Sequence, residues 1–492
     1  MGEGGAVYRA MFHPPKAPAG KKFAVNRAIA FLNAPRDAAP LAAFRIVFGG
    51  LMAFEAFASY LHKIPDRYSP DVFHFTYPGF HWVVPPPGIG IYFVIGAMGL
   101  AAFCVTIGWR YRAASLVFLL AYTYLFLIDR VAYNNHYYLI ILLALLFTIT
   151  RAHADASLDS ARIPEAKRGW VPAWQLYIFR AQIVVVYFFG GVAKLSPDWL
   201  RREPITHWIQ ERAEVLALGP LLQPDLVPWL LAYGGLIFDL SIGFLLLWRR
   251  TRLIAVALVL GFHLTNAYLF SIGVFPWLGI GATVLFLDAG TVRRALGRLG
   301  YARSAIELPL ATATSRAKWP LAFCAAYLLV QCLVPLRHWC YAGDVNWTEE
   351  GHDFSWHMKL RDKEGVARFR ILDRGTGTST VLEEADLSAE LTLKQIRDMN
   401  CKPELLAHYA RHLREVYAQK GYRDPAVFAE ALVSLNGRPY LPLVDPDVDL
   451  AAVDQSPWHA AAWIVPLDPA AKPGAYPPPP AGFDHQDVPR KK

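Results

Sequence analysis

Lys194 closes a long apolar run, directly after Gly190-Gly191-Val192-Ala193. A lysine in that place does one of two things. It snorkels its ammonium to a membrane surface, or it sits without water, gives up its proton readily and serves as a base. The small residues before it let another helix or a ligand come close. Comparable runs hold Asn134-Asn135-His136, the pair His263 and Asn266, and Arg45, Glu55, Arg180, Gln182, Asp239 and Gln331. Polar groups inside a membrane are costly, so each points to function or to a structural partner. His136 reads as a proton-handling group or as a hydrogen-bonded core histidine, and its two asparagines as pocket groups or interhelical amides. His263 and Asn266, spaced i and i+3, share one helix face. Arg180 reads as structural, Asp239 as the partner of Arg45 or Arg180, and Glu55 as a helix-packing acid.

These residues must be positioned by membrane helices. Apolar runs at roughly 41–60, 89–108, 113–129, 133–150, 175–195, 227–248, 252–270, 273–289 and 319–336 predict about nine spans, each long enough for a hydrocarbon core about 30 Å thick. The seventh and eighth meet at Ser271-Ile272-Gly273, a tight turn. With the N-terminus inside, the inner segments hold twenty-one Lys and Arg and the outer loops seven. That bias fixes the orientation, and the first span serves as an uncleaved anchor. Asn134 to His136 and Lys194 then lie at outer helix ends. His263 and Asn266 sit about 16 and 21 Å above the inner end of theirs, at about 1.5 Å per residue. Three helices thus bring an amine, imidazoles and amides to the outer leaflet.

The chain has 492 residues, 54% of them hydrophobic, a mean hydropathy of +0.26 and a net charge of +9. Basic residues gather in loops between apolar runs, so the charge speaks for a lipid bilayer and against nucleic acid. The expected fold is membrane all-α with the N-terminus inside, followed by an extracytoplasmic mixed α/β, β-containing domain. The parts are a basic segment 1–40, a transmembrane domain 41–337, the outer domain 338–469 and a Pro-rich disordered tail 470–492. In the outer domain, Phe354–Leu360 and Val366–Leu372 alternate like strands, Arg374-Gly375-Thr376-Gly377 reads as a turn, and Lys402–Lys420 as an amphipathic helix. The loop 196–226, with Trp199, Trp208, Ile209 and Val215, reads as an amphipathic segment lying on the bilayer. Cys104, Cys324 and Cys332 lie in spans; Cys340 and Cys401 fall outside them, and sequence sets no distance between these two. No metal spacing, P-loop, GxSxG or dinucleotide fingerprint occurs. A lipophilic cofactor entering from the bilayer suits a site at this depth.

The segments DRVAYNNHYYL (129–139), VVYFFGGVAKLSPDWL (185–200), GLIFDLSIGFLL (235–246) and FHLTNAYLFSIGVF (262–275) resemble the vitamin K-dependent gamma-glutamyl carboxylase family, whose bacterial relatives carry the same horizontally transferred transmembrane domain. NWTEEGHDFSWHM (346–358), LVSLNGR (432–438) and VDPDVDL (444–450) continue the likeness. The resemblance implies a membrane enzyme in which Lys194 deprotonates reduced vitamin K, a phylloquinol- or menaquinol-type hydroquinone. Reaction with O2 then yields a stronger base that takes a γ-proton from a glutamate in a peptide or protein. CO2 traps the carbanion, and the cofactor leaves as its epoxide, a carbon–carbon lyase chemistry. His136 would support that step; Asn134, Asn135, His263, Asn266 and Met358 would bind the cofactor. His338, Trp347, Ser355 and Trp356 would handle the glutamate. Departures stand beside the likeness. Ala193 replaces a second lysine of the animal enzymes, and Phe73 and His412 replace two cysteines that pair there. Arg361 and His352 differ from the family's glutamate region, and little follows Ser456-Pro457-Trp458. Two alternatives therefore stay open: a hydroquinone epoxidase without carboxylation, and a non-enzymatic quinone- or lipid-binding membrane protein. The frequent Ala and Arg point to a GC-rich bacterial host, hence an inner or plasma membrane.

Overall fold

Long apolar runs become helices because every backbone polar group is then bonded within the segment, as a lipid environment demands. A computed structural model describes residues 21–162, 169–216, 226–270, 272–301, 317–456 and 459–483. Helix α1 (Lys21–Asn33) leads to a short strand β1 (Pro35–Asp37), which pairs antiparallel with β2 (Trp170–Pro172). The membrane helices are α2 (Ala39–Glu55), α3 (Gly90–Ile107), α4 (Tyr111–Ile128), α5 (Asn135–Ile149), α6 (Ala173–Ala193), α8 (Leu226–Leu247), α9 (Arg252–Leu269), α10 (Phe275–Ala282) and α12 (Trp319–Leu336). Helices α7 (Glu203–Leu216) and α11 (Ala289–Arg298) lie between them. Outward side chains are apolar and bare, among them Phe93 at 70% and Leu253 at 76% exposure, as lipid-facing residues should be.

The span count refines the expectation. Among the described residues seven helices are long and apolar enough to cross a bilayer, α2 being continued to Ile64 by a π turn at Ala56–Tyr60. An eighth segment is broken, α10 and its following turn (to Phe286) meeting α11 at 118°. Helix α5 has only 15 residues. The turn expected between the seventh and eighth runs is present, with Gly273 at φ 64°; Ser271 lies outside the described residues.

The C-terminal part carries a four-stranded antiparallel sheet, ordered β4 (Ser379–Leu382), β3 (Lys363–Asp373), β5 (Pro425–Leu435), β6 (Leu441–Pro442). Helices α13 (Leu393–Asn400) and α14 (Pro403–Gln419) cover one face, burying Phe369, Ile371, Val427, Ala429, Leu406 and Tyr409. The turn at 374–377 and the amphipathic helix match the sequence reading. The strand expected at Phe354–Leu360 does not form: Phe354, Trp356 and Lys359 adopt left-handed backbone (φ 64°, 60° and 49°), which breaks a period of two. Its apolar residues instead plug into the membrane helices, Trp356 stacking on Tyr138 at 5.2 Å and Phe354 meeting Tyr133 at 5.1 Å.

The two parts are welded. Phe75 and Val131, from loops between membrane helices, lie inside the soluble core, and Gln395 donates to Asp129 (2.9 Å) and to the Phe73 carbonyl (2.6 Å). Phe73 and His412, the positions set against two cysteines, face each other with ring centroids 4.5 Å apart. Loop 196–226 also departs from expectation. Trp199, Ile205 and Ile209 turn into the protein against Ala232 and Leu360 rather than onto the bilayer; the side chain of Val215 and residues 217–225 lie outside the described residues. All five cysteines are unpaired, with Cys340 exposed and Cys401 buried. Residues 470–483 run along the soluble domain, Tyr476 donating to Asp362 (2.7 Å); residues 484–492 lie outside the described ones.

Candidate active site

Helix α6 carries Tyr187, Gly190, Gly191 and Lys194 at helical spacing, so they share one face. A Cβ on Gly191 would lie 2.8 Å from the backbone nitrogen of Leu240, so only glycine lets α8 come this close. The contact sets Lys194, which caps α6, beside Asp239 in the middle of α8. Lys194 Nζ donates to Asp239 Oδ2 at 2.6 Å and to the Gly190 carbonyl at 3.3 Å, and lies 5.2 Å from the Trp199 ring. Lysine and aspartate are 6% and 4% exposed.

This corrects the expectation for Asp239. Arg45 instead donates to the carbonyls of Val105, Thr106, Ala152 and Ala156, capping the end of α3. Arg180 donates to the Leu285 carbonyl (2.8 Å), and Glu55 accepts from Ser59 (2.9 Å). The lysine is therefore not a solitary amine but half of a buried pair.

The pair faces a cavity of about 380 Å³, within the range that holds small ligands. Asn134, Asn135, His136, His263, Asn266 and Met358 line it together with Lys194 and Asp239. Asn135, at the start of α5, donates to the His357 carbonyl (2.8 Å) and accepts from the Tyr133 hydroxyl (3.0 Å). His136 is half-buried, its ring 6.0 Å from Phe275. His263 is buried and its Nε2 lies 2.8 Å from the Tyr187 hydroxyl. It fits only because residue 279 is glycine: a Cβ there would sit 2.2 Å from Nε2. Asn266 lies one turn on along α9. The rest of the wall is apolar, including Leu139, Ile183, Leu231, Phe262 and Leu278.

Four singled-out residues stand elsewhere. Trp347 is buried in the soluble core and donates to the Val465 carbonyl (2.7 Å). The Ser355 hydroxyl donates to the Gly351 carbonyl (2.6 Å), and Trp356 packs on Tyr138. His338 Nδ1 is tied to the Pro335 carbonyl (2.8 Å). Sequence reasoning missed three cavity residues. Tyr187 was marked by its spacing from Gly190 and Lys194; Asp239 was assigned the wrong partner; His357, between Trp356 and Met358, carried no periodic signal. Burial, with His352 and His338 beside it, holds the His357 imidazole far below its usual pKa, so it is neutral.

Comparison with known families decides what this arrangement belongs to. Residues 33–290 match the HTTM domain, and residues 316–470 match the vitamin K-dependent gamma-carboxylase, lumenal domain. The chain belongs to the vitamin K-dependent gamma-glutamyl carboxylase family. The cavity lies within the first match except for His357, Met358 and Lys359, which the second contributes. Membership supports a carboxylase-like function dependent on vitamin K in an integral membrane protein. No solved structure matches the chain.

Proposed function

We propose that this carboxylase homologue couples oxygenation of a hydroquinone to its epoxide with carboxylation of glutamate residues. One observation carries the reading: a buried lysine–carboxylate pair opens onto an apolar cavity of ligand size at the junction of membrane helices and soluble domain. The cavity suits reduced vitamin K, since its walls are hydrocarbon and aromatic while its polar groups gather around Lys194. When bound, the hydroquinone supplies the reductant that O2 converts into a base strong enough to remove a glutamyl γ-proton, after which CO2 adds.

What the chain contributes follows from its own residues. Lys194 and Asp239 together receive a hydroxyl proton, which is then shared across 2.6 Å between Nζ and Oδ2. His136 and the Tyr187-bonded His263 hold the neighbouring polar edge in place. Asn134, Asn135 and Asn266 offer amide contacts, and Met358, lying against Gly190, closes the floor. The apolar wall excludes water, so neither the base nor a carbanion is quenched. The basic inner loops support an orientation with the soluble domain outside, in a bacterial inner or plasma membrane, where a glutamate-bearing peptide would arrive.

The test is purified protein in detergent with reduced vitamin K, bicarbonate and a glutamate-containing peptide. Lys194→Ala is expected to lose about 100-fold or more in epoxide formation, the range of a general base. Epoxide formed by Lys194→Ala at the wild-type rate would remove the assigned base. A second reading, hydroquinone epoxidation without carboxylation, is favoured by one fact: His338, Trp347, Ser355 and Trp356 do not line the cavity. Labelled CO2 appearing in the peptide separates the two.

A further inference from the structure

We propose that His357 and His352 form a proton exit from the cavity to the acidic junction between the two domains. The proposal rests on the hydroquinone reading above. Any reaction that deprotonates a ligand inside a dry cavity must pass that proton to water before the next turnover. Lys194 and Asp239 are both buried, and their pairing offers a seat, not an outlet.

His357 lines the cavity, is 6% exposed, and neither of its ring nitrogens has a hydrogen-bond partner among the described residues. A buried imidazole with both nitrogens unpaired is expensive to keep for packing alone, whereas free nitrogens at both ends are what a relay needs. Asn135 fixes the backbone of the same residue by donating to its carbonyl (2.8 Å). The His352 ring lies 5.1 Å from the His357 ring. Its Nδ1 stands 3.8 Å from Glu349 Oε2 and 3.7 Å from Asp353 Oδ1. Asp353 in turn meets Arg130 (3.2 Å), which also pairs with Glu404, whose side chain is 31% exposed. Rings and carboxylates therefore step from the cavity to the surface.

The transfer balances without any redox partner. A proton leaving the Lys194–Asp239 pair adds to one nitrogen of His357, whose other nitrogen releases its own to His352. His352 passes a proton to water, drawn there by Glu349 and Asp353, and both rings return to neutral by exchanging tautomers. The groups facing this route are Lys194, His338 and Arg361, which with burial discourage a resident charge on either ring, and Glu349 and Asp353, which offset part of that at the outer ring. The charge therefore visits His357 briefly and moves outward.

The experiment uses full-length protein in detergent with reduced vitamin K, measuring epoxide formation for His357→Gln, His357→Phe, His357→Ala and His352→Phe. The Gln variant keeps hydrogen-bonding capacity and size but cannot hop a proton. Expected are losses in kcat of about 10- to 100-fold for both Gln and Phe, with KM for hydroquinone and peptide unchanged and a raised solvent isotope effect. Added imidazole should restore the Ala variant, more basic methylimidazoles restoring it more strongly. His352→Phe should show a smaller loss of the same kind. A Gln variant at the wild-type rate, a raised KM with kcat intact, or an Ala variant that imidazole cannot restore overturns the relay alone. A wild-type protein that forms no epoxide from reduced vitamin K overturns the hydroquinone reading, and the relay with it.

Discussion

Lys194 and Asp198 are one helical turn of chain apart, and each belongs to a buried ion pair, yet the two pairs are built differently. Asp198 accepts from Arg438 Nη1 (2.7 Å) and Nη2 (2.9 Å), from Asn436 Nδ2 (2.8 Å) and from Arg201 (2.6 Å). Burial pushes its carboxyl up, but Arg438, Asn436 and Arg201 outweigh that and keep it below the usual range. Asp239 has Lys194 at 2.6 Å and otherwise faces the cavity. The first pair satisfies its carboxylate on every side and pins the soluble domain to the membrane domain. The second leaves lone pairs and an amine open to a ligand. Saturation makes a clamp, and incompleteness makes a reactive site.

Breaking each pair should separate these roles. For the open pair, Asp239→Asn keeps the shape and removes the proton's second seat. Epoxide formation is expected to fall by about 100-fold or more, with the detergent-solubilised protein eluting and melting like wild type. A drop in melting temperature with the rate intact would make Asp239 a clamp as well. For the closed pair, Arg438→Ala removes the two-pronged partner of Asp198 and leaves only Asn436 and Arg201, a loss of about 1–3 kcal/mol. It should lower the thermal midpoint while the rate per folded molecule stays at the wild-type level. Reduced turnover at unchanged stability would contradict that division.

Much of this was legible beforehand, for reasons particular residues make plain. Long apolar runs fix membrane helices almost by themselves, and the period-two pattern of Val366–Leu372 gave a real strand within β3. Lys194, His136 and His263 stood out because polar groups are scarce in such runs. Partner choice was not legible: Asp239 meets Lys194 rather than an arginine because glycines at 190 and 191 draw α6 onto α8, a tertiary fact. Phe354–Leu360 misled for a related reason, since alternation there fits sockets between helices rather than a pleat. His357 was invisible because unpaired nitrogens exist only once the surroundings are in place.

A milder perturbation of the open site is steric. Gly279→Ala would put a methyl 2.2 Å from His263 Nε2. The ring must move, breaking its bond to Tyr187, at a cost of about 1–3 kcal/mol for overpacking. We expect weaker hydroquinone binding by titration. Unchanged binding would mean that His263 does not shape the cavity.

The smallest effect concerns pH at the junction outside the membrane. Burial pushes the Glu349 carboxyl up, but Arg361, Lys363 and His352 outweigh it and hold it down at about 2. A group depressed in the folded state stabilises above its ordinary value of 4.5 and loses that contribution as pH falls towards 2. Burial also keeps His408 neutral, down to about 4, and His357 further still. The unfolded chain protonates such histidines first, near 6.5, so their contribution too is present above 6.5 and erodes below it. Both contributions run in the same direction. The thermal midpoint should be flat from pH 8 to about 7, decline below 6.5, and decline again below 4.5. Glu349→Gln should shrink the second step, to which Asp198 and Asp353 also contribute, while leaving the first, and His357→Gln should shrink the first. A midpoint that rises on acidification from pH 7 to 5 would mean these imidazoles gain, rather than lose, from protonation in the fold.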